Sequence, residues 1–249
     1  MPPSTSSPDV STRDASDIDH LLAAALRLVG TLPAARPTVG IVRGWSRGDR
    51  ERARLLREGL DERRVRSTEL SPVAEAGERD GPGRGDRPPR ADLLVYAGGS
   101  QVEQAMRAAA LWGLPLLVDR PQGPPRGEPN AFEGRRRPVV GFRLSDGGFG
   151  VAVRETVLVS LQPHPGHARL ILDNEKITAP GDRPLRITLT DQGLLEARGD
   201  SFGLRRIRRL RFERAWGAYR LEVDGVPSRD VRAPLRIEAL PGRLHLLHP

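Results

Sequence analysis

Hydrophobic and polar positions follow two different rhythms, one before and one after about residue 120. From Thr38 to Asp119, short apolar runs alternate with longer amphipathic stretches. The runs TVGIVRG, VRSTEL, ADLLVYA and LPLLVD predict strands, and the stretches GDRERARLLREGLDER and SQVEQAMRAAALWG predict helices. Strands that alternate with helices in this way are joined by right-handed crossovers. This part of the chain therefore predicts an open parallel α/β sheet.

Other segments precede and interrupt that pattern. Residues 1–16 are rich in Ser, Thr and Pro and predict a disordered tail. Ser16 is suited to cap a helix that ends at Val29, because Gly30 and Pro33 follow. Residues 71–90, rich in Gly, Pro and Arg, predict a flexible insertion. We accordingly predict an α/β domain over residues 17–125.

The second rhythm consists of short runs of β-forming residues separated by turn signals every eight to twelve residues or so. The runs are VVGFRL, GVAVRETVLVSL, ARLILD, LRITLT, LLEARGD, RIRRLRFER, YRLEVDG, LRIEAL and RLHLLHP. No helical period competes with them. Residues 126–249 therefore predict an antiparallel β-sandwich, and the fold class is α/β followed by all-β.

Charge is the strongest compositional feature of the 249 residues. The formal net charge is +8, the sequence pI is about 11.1, and all but one of the 40 basic residues are arginine. A GC-rich coding sequence is the favoured explanation, and a surface for phosphate, anionic lipid or nucleic acid is the alternative. Cysteine is absent, which excludes disulfides and thiolate metal sites. No apolar run approaches the roughly 20 residues of a membrane span, so we expect a cytoplasmic protein, with peripheral membrane association as an alternative.

The densest basic run is LRRIRRLRFER, residues 204–214. An arginine-rich strand at the edge of a sheet protects against edge-to-edge pairing. The functional alternative is a landing surface for an anionic membrane, with nucleic acid as a less favoured partner. Its candidate residues are Arg205, Arg206, Arg208, Arg209 and Arg211.

The best candidate for ligand chemistry is the segment YAGGSQVEQAM, residues 96–106. Gly98 and Gly99 lie between a predicted strand and a predicted helix, followed by Ser100. Backbone N–H groups at such a helix start can bind a phosphate without any side chain. The alternative is that the glycines only permit a tight turn. The segment has no lysine, and its first acid is Glu103.

The end of the chain carries three ordered motifs: Val223-Asp224-Gly225, then Pro234, then Leu240-Pro241-Gly242 as a turn into a last strand. With the glycine pair, these resemble the diacylglycerol and sphingosine kinase family, relatives of the NAD kinases. The resemblance covers residues 38–117 and 193–249. It implies a nucleotide-binding α/β domain, a β-sandwich, a ligand cleft between them, and ATP and a phospholipid as ligands.

The departures from that family concern acids. Ser100 stands in the region of the acid that supports Mg²⁺ and nucleotide, and Val226 replaces a glutamate after Asp-Gly. Of the motif after the first strand, the chain keeps Ser46 alone. Of a later motif it keeps Asn130, but Ala131 stands at the position where the family has an acid. The resemblance thus implies phosphate contacts from Gly98, Gly99, Ser100, Ser46 and Asn130. It leaves only Asp224, Glu103 and Asp119 as candidate catalytic acids, and no metal site is predicted.

Three hypotheses follow. The first is a diverged, catalytically impaired lipid-kinase relative, a pseudokinase, that binds nucleotide, phosphate or lipid in the cleft or acts as an assembly partner. The second is an active ATP-dependent lipid kinase in which Glu103 or Asp119 is recruited to the metal. The third is an arginine-driven binder of membrane surfaces or nucleic acid. A protein partner and a homo-oligomer both stay open.

Overall fold

The computed structural model describes residues 10–70, 90–98, 102–119, 134–161, 167–181, 183–214 and 218–248, with only the backbone described for residues 10–16 and Arg214. The predicted insertion at 71–90 lies, except for Arg90, outside the described residues. The helices are α1 (Val10–Val29), α2 (Arg47–Glu62) and α3 (Val102–Trp112). The first six strands are β1 (Thr38–Val42), β2 (Arg66–Leu70), β3 (Leu93–Tyr96), β4 (Leu116–Val118), β5 (Gly134–Arg143) and β6 (Phe149–Ala152).

Ten further strands follow in the second half of the chain. They are β7 (Glu155–Ser160), β8 (His167–Leu172), β9 (Glu175–Pro180), β10 (Leu185–Leu189), β11 (Leu195–Gly199), β12 (Gly203–Ile207), β13 (Arg209–Arg214), β14 (Tyr219–Val223), β15 (Val226–Val231) and β16 (Leu235–Leu247). The chain is thus mixed α/β, with most of its elements strands. The predicted fold class is confirmed at this coarse level.

The first half forms a parallel sheet in the order β2-β1-β3-β4. Strands β1, β3 and β4 are largely apolar on both faces because helices cover both, whereas the edge strand β2 is mostly polar. On one face α1 and α2 pack against alternate residues such as Ile41 and Val95. On the other face α3 packs against Leu94 and Leu116. Helix α1 begins at Val10, so the predicted cap at Ser16 is wrong and part of the predicted tail is helical.

The long strand β16 joins this sheet to the antiparallel half. Its first part pairs antiparallel with β13 and β5, and its last residues pair in parallel with β4 through Leu246 and Leu247. A single ten-stranded sheet results. Residues 244–247, which the predicted boundary placed in the second domain, therefore extend the parallel sheet. The predicted Leu240-Pro241-Gly242 turn between two strands is instead a register shift within β16.

A separate antiparallel sheet, in the order β12-β11-β10-β7-β14-β15, packs against the antiparallel part of the large sheet. Their shared core contains Leu170 and Ile237 from the large sheet and Leu158, Ile187 and Leu221 from the small one. Two runs predicted as single strands are each divided between the two sheets. The run GVAVRETVLVSL divides into β6 of the large sheet and β7 of the small one, and the run RIRRLRFER divides between β12 of the small sheet and β13 of the large one.

Candidate functional site

The carboxyl ends of β1, β3 and β4 meet at one edge of the parallel sheet, which we call the sheet edge. Ligands of open α/β sheets bind outside this edge, where loops diverge to helices on opposite faces. Here the chain leaves β1 toward α2 and β3 toward α3, and those helices pack on opposite faces. The residues that follow the strands therefore decide what the edge can bind.

Beyond β1, the start of α2 is closed by its own side chains. The Ser46 hydroxyl accepts a hydrogen bond from the Asp49 backbone N–H at 2.9 Å, and the Asp49 carboxylate accepts one from the Ser46 N–H at 3.2 Å. This reciprocal arrangement is a capping box. The predicted phosphate-binding Ser46 is therefore occupied as a helix cap. Asp49, which the prediction overlooked, is buried at the sheet edge and was detectable from the Ser-x-x-Asp spacing.

Two glycines at the sheet edge have a packing explanation. A Cβ atom on Gly44 would lie 2.1 Å from Asp49 Oδ2, and one on Gly98 would lie 2.6 Å from Tyr96 Oη. Glycine is needed at both positions because Asp49 and Tyr96 fill the space that a side chain would take. For Gly98 this favours the packing interpretation over a phosphate-binding role. Gly99 and Ser100 lie outside the described residues.

The electrostatics of the sheet edge do not favour a second anion. Burial, and to a lesser degree the Asp49 carboxylate, raises the pKa of Tyr96 to about 12, and the Arg52 charge partly opposes both. Tyr96 is therefore a neutral phenol at physiological pH, beside a buried carboxylate. A phosphate placed there would be repelled by the Asp49 carboxylate, so we expect any phosphate binding at the sheet edge to be weak.

Glu103, in the first turn of α3, is engaged with the segment that leads into β7. Its carboxylate lies 2.9 Å from the Arg154 guanidinium, and both side chains are substantially exposed. An exposed pair of this kind stabilises a protein by only about 0–1 kcal/mol. The pair nevertheless directs the Glu103 carboxylate toward Arg154.

Asp224 lies in the turn between β14 and β15, and its carboxylate accepts several backbone hydrogen bonds close to α3. Its side chain is 1% exposed and accepts backbone hydrogen bonds from Val153 at 3.0 Å, Arg154 at 2.7 Å and Glu155 at 3.1 Å. Arg107 of α3 lies 3.8 Å away. The backbone of Asp224 has a φ of +51°, a region that aspartate tolerates. Asp224 therefore fixes the start of β7 and links it to α3.

Asp119 follows β4 and lies level with Ala97, because Val118 pairs with Tyr96. It also has an interaction partner of its own. Asn130 lies outside the described residues. Within the part of the chain that the structure describes, no group of three or more His, Cys, Asp or Glu side chains could hold a metal ion.

The predicted arginine-rich strand is two strands in different sheets. Arg205 and Arg206 lie on β12, an edge strand of the six-stranded sheet, whereas Arg209 and Arg211 lie on β13, between β16 and β8. The chain crosses between the sheets at Arg208, where Asp173 Oδ1 accepts hydrogen bonds from the Arg208 and Arg209 N–H groups at 3.0 Å. The edge-strand prediction therefore holds for β12 alone. The five arginines do not share one surface.

Comparison of the sequence with protein-family models and with curated proteins finds no match. The lipid-kinase resemblance therefore stays a prediction. Among the described residues, none of the helices has the length and apolar character required to cross a bilayer.

Proposed function

We propose that this chain is a diverged relative of the diacylglycerol and sphingosine kinases that no longer transfers phosphate. In this proposal it binds a nucleotide or phospholipid through its phosphate, between the sheet edge and the turn that holds Asp224. The parallel α/β sheet and the second layer of antiparallel strands are the architecture that the resemblance implies, and they support the proposal at that level. Glu103–Arg154 and Asp224–Arg107 contacts bring α3 against the second half of the chain beside this space.

One observation carries the loss of catalysis: the candidate acids are already engaged. Glu103 pairs with Arg154, Asp224 accepts three backbone N–H groups, and Asp119 has a partner. Phosphoryl transfer requires a divalent cation that bridges phosphate oxygens and is held by carboxylates. Moving Asp224 to such a cation would leave three partly buried N–H donors without their acceptor, at a cost of up to about 1–3 kcal/mol each. Asp224 is therefore poorly available to a metal, whereas Glu103, in an exposed pair worth about 0–1 kcal/mol, is held only weakly.

The first test measures catalysis directly. Purified protein is incubated with ATP labelled at the γ-phosphate and a total lipid extract, and we expect no labelled lipid above the background of the extract. If labelled lipid forms, Asp119→Asn and the matched Asp200→Asn identify its source. Asp200 is an exposed acid in a distant turn, where it pairs with Arg183 at 3.6 Å. Activity that Asp119→Asn abolishes and Asp200→Asn leaves intact would establish the active-kinase alternative.

The second test measures binding without catalysis. Isothermal titration with ATP, in the presence and in the absence of Mg²⁺, should give weak affinity that hardly changes with the metal. The physical reason is that the described carboxylates near the sheet edge are engaged within the protein. Tight binding that requires Mg²⁺ would contradict the proposal.

A further inference from the structure

A surface away from the sheet edge carries an unusual concentration of positive charge. It consists of the outward-pointing residues of β8, β9 and β13, of residues 236–240 of β16 and of residues 139–143 of β5, and we call it the arginine face. Its six exposed cations are Arg143, Arg169, Lys176, Arg209, Arg211 and Arg236. Its two acids, Glu213 and Glu238, leave a net charge of +4 (six minus two). The alternate residues of these strands, such as Leu170 and Ile237, face the shared core.

The register of the strands aligns three of these arginines directly. Arg211 on β13 is opposite Arg236 on β16, and Arg236 is opposite Arg143 on β5. The same row continues from Arg211 through Ile171 on β8 to Lys176 on β9. Directly opposed side chains have Cβ atoms about 4.5–5.5 Å apart. Five neighbouring strands place the ends of this row about 19 Å apart.

The charges in this row are largely unneutralised. Within the described residues, no carboxylate lies within 4 Å of Arg143, Arg169 or Arg236, while Glu213 lies 3.6 Å from Arg211. Like charges directly opposite one another destabilise a sheet. A single acid in place of Arg236 would relieve both contacts. Opposed arginines of this kind lower the stability of the sheet, and proteins tolerate such local costs mainly at functional sites.

We propose that the arginine face binds the surface of a bilayer that contains anionic phospholipids. Guanidinium groups form paired hydrogen bonds with phosphate oxygens, and clusters of four to eight basic residues or so are sufficient for electrostatic attraction to such membranes. The charges extend both across the strands, from Lys176 to Arg143, and along them, from Arg209 to Arg211. A bilayer presents phosphates in two dimensions and so matches this spread.

The same surface lacks what single-stranded nucleic acid requires. Binding of that ligand depends on aromatic side chains on which bases stack. The aromatic side chain beside the described part of this row is Phe149 on β6, which is the strand partner of Arg143. Phe149 is only partly exposed. The inference concerns a different surface from the sheet edge and does not depend on the proposed function.

Vesicle sedimentation with the full chain tests the proposal. The protein is mixed with vesicles of phosphatidylcholine alone and with vesicles that also contain phosphatidylglycerol. We expect binding only to the second kind, weakened by added salt. The triple variant Arg143→Gln/Arg211→Gln/Arg236→Gln should bind on the order of 100-fold more weakly, because each cation near the membrane contributes about fivefold.

A matched triple variant separates this surface from total charge. Arg186→Gln/Arg206→Gln/Arg220→Gln removes an equal number of positive charges, three, from exposed positions of the six-stranded sheet. It should bind vesicles as the wild type does. Equal loss in both triple variants, or equal binding to neutral vesicles, would overturn the proposal. So would binding of a fluorescent oligonucleotide, but not of vesicles, that is lost only in the first triple variant.

Folding is checked by the urea midpoint of each variant. We expect the first triple variant to remain folded, because its substitutions remove opposed like charges. If it does not fold, Arg236→Gln alone serves as the test. Arg236 is the centre of the row, and its loss should weaken vesicle binding about fivefold. Unchanged binding by that folded variant would overturn the proposal.

Discussion

The outward faces of the two antiparallel layers are built alike but treat charge differently. On the six-stranded sheet, Arg206 lies 2.9 Å from Glu196, Arg186 lies 3.5 Å from Glu155, and Arg220 lies 3.6 Å from Asp230. An opposed pair occurs there too, Arg186 with Arg198, but Arg186 has its acid. On the arginine face, Arg143, Arg236 and Arg211 are opposed in a row. Among the residues that the structure describes, an acid lies within 4 Å of Arg211, namely Glu213, but of neither of the other two.

This difference shows what an arginine-rich composition can and cannot explain. Coding bias supplies arginine to both layers, and both are rich in it. Bias alone does not explain why one layer sets acids beside three of its exposed arginines while the other aligns three arginines opposite one another in a row. The strand register decides which outcome occurs. The arginine face is therefore better explained by a ligand than by composition.

The largest effect on stability is expected at the buried side chain of Asp224, because exposed charges contribute little to folding. Asp224→Ala leaves the N–H groups of Val153, Arg154 and Glu155 without their acceptor, and we expect a loss of roughly 3 kcal/mol or more in the free energy of unfolding. Asp224→Asn is the control, because it tolerates the positive φ and keeps one acceptor oxygen. It should lose clearly less. Equal losses would mean that the hydrogen bonds are not what Asp224 provides.

Charge reversal at one position of each layer should change stability in opposite directions. Arg236→Glu creates two favourable cross-strand pairs, with Arg143 and Arg211, and should raise the free energy of unfolding by about 0.4–2 kcal/mol. Arg206→Glu places an acid opposite Glu196 and should lower it by about 1 kcal/mol. Urea midpoints at unchanged slope measure both. Changes of the same sign would remove the difference between the faces.

Added salt should reduce the difference in urea midpoint between the wild type and Arg236→Glu. The repulsion in the row acts across exposed side chains, and the screening length falls from about 10 Å at 0.1 M salt to about 3 Å at 1 M. We expect the two midpoints to converge as salt is added. A gap that does not change with salt would show that packing, not charge, distinguishes the variants.

The smallest effect concerns the opposite end of the ladder between β5 and β16, where His245 is opposite Arg136. Burial lowers the pKa of His245 below its usual 6.5, and the charge of Arg136 lowers it further. The unfolded chain then holds the proton more tightly, so stability is full above pH 6.5 and declines as the pH falls toward the folded-state pKa. His245→Gln should flatten this decline in urea midpoints measured from about pH 7 to about pH 5. A slope that His245→Gln leaves unchanged would assign it to another group.

Local patterns were sufficient to predict the parallel sheet. The run Leu93–Tyr96 is apolar throughout because both faces are buried, and the repeat of α2 is visible in the sequence. Strands β9 and β15 were missed because EKITAP and VPSRDV have few apolar residues to alternate. The two divided runs contain no glycine or proline where the chain changes sheet, at Val153–Arg154 and at Arg208.

Both proposed binding surfaces depend on contacts between residues distant in sequence. The sequence identified Asp224, but not the backbone of residues 153–155 that its carboxylate binds. It identified Arg211, but not Arg236 or Arg143, because only strand register brings them together. Asp49 was within reach, since its capping pattern with Ser46 is local. Strand register between residues distant in sequence was therefore the part of the structure that local sequence patterns could not predict.

The ladder between β5 and β16 also limits how the molecule can move. It runs from Arg143 and Arg236 to Gly134 and Leu247, past a single register shift, and so bridges the parallel and antiparallel parts. Hinge motions are absorbed by a few loop residues at a joint, whereas bending here would break backbone hydrogen bonds in the middle of a strand pair. We therefore expect the two halves to rotate together as one rigid body. A ligand would then reach the sheet edge without any opening of the two halves relative to each other.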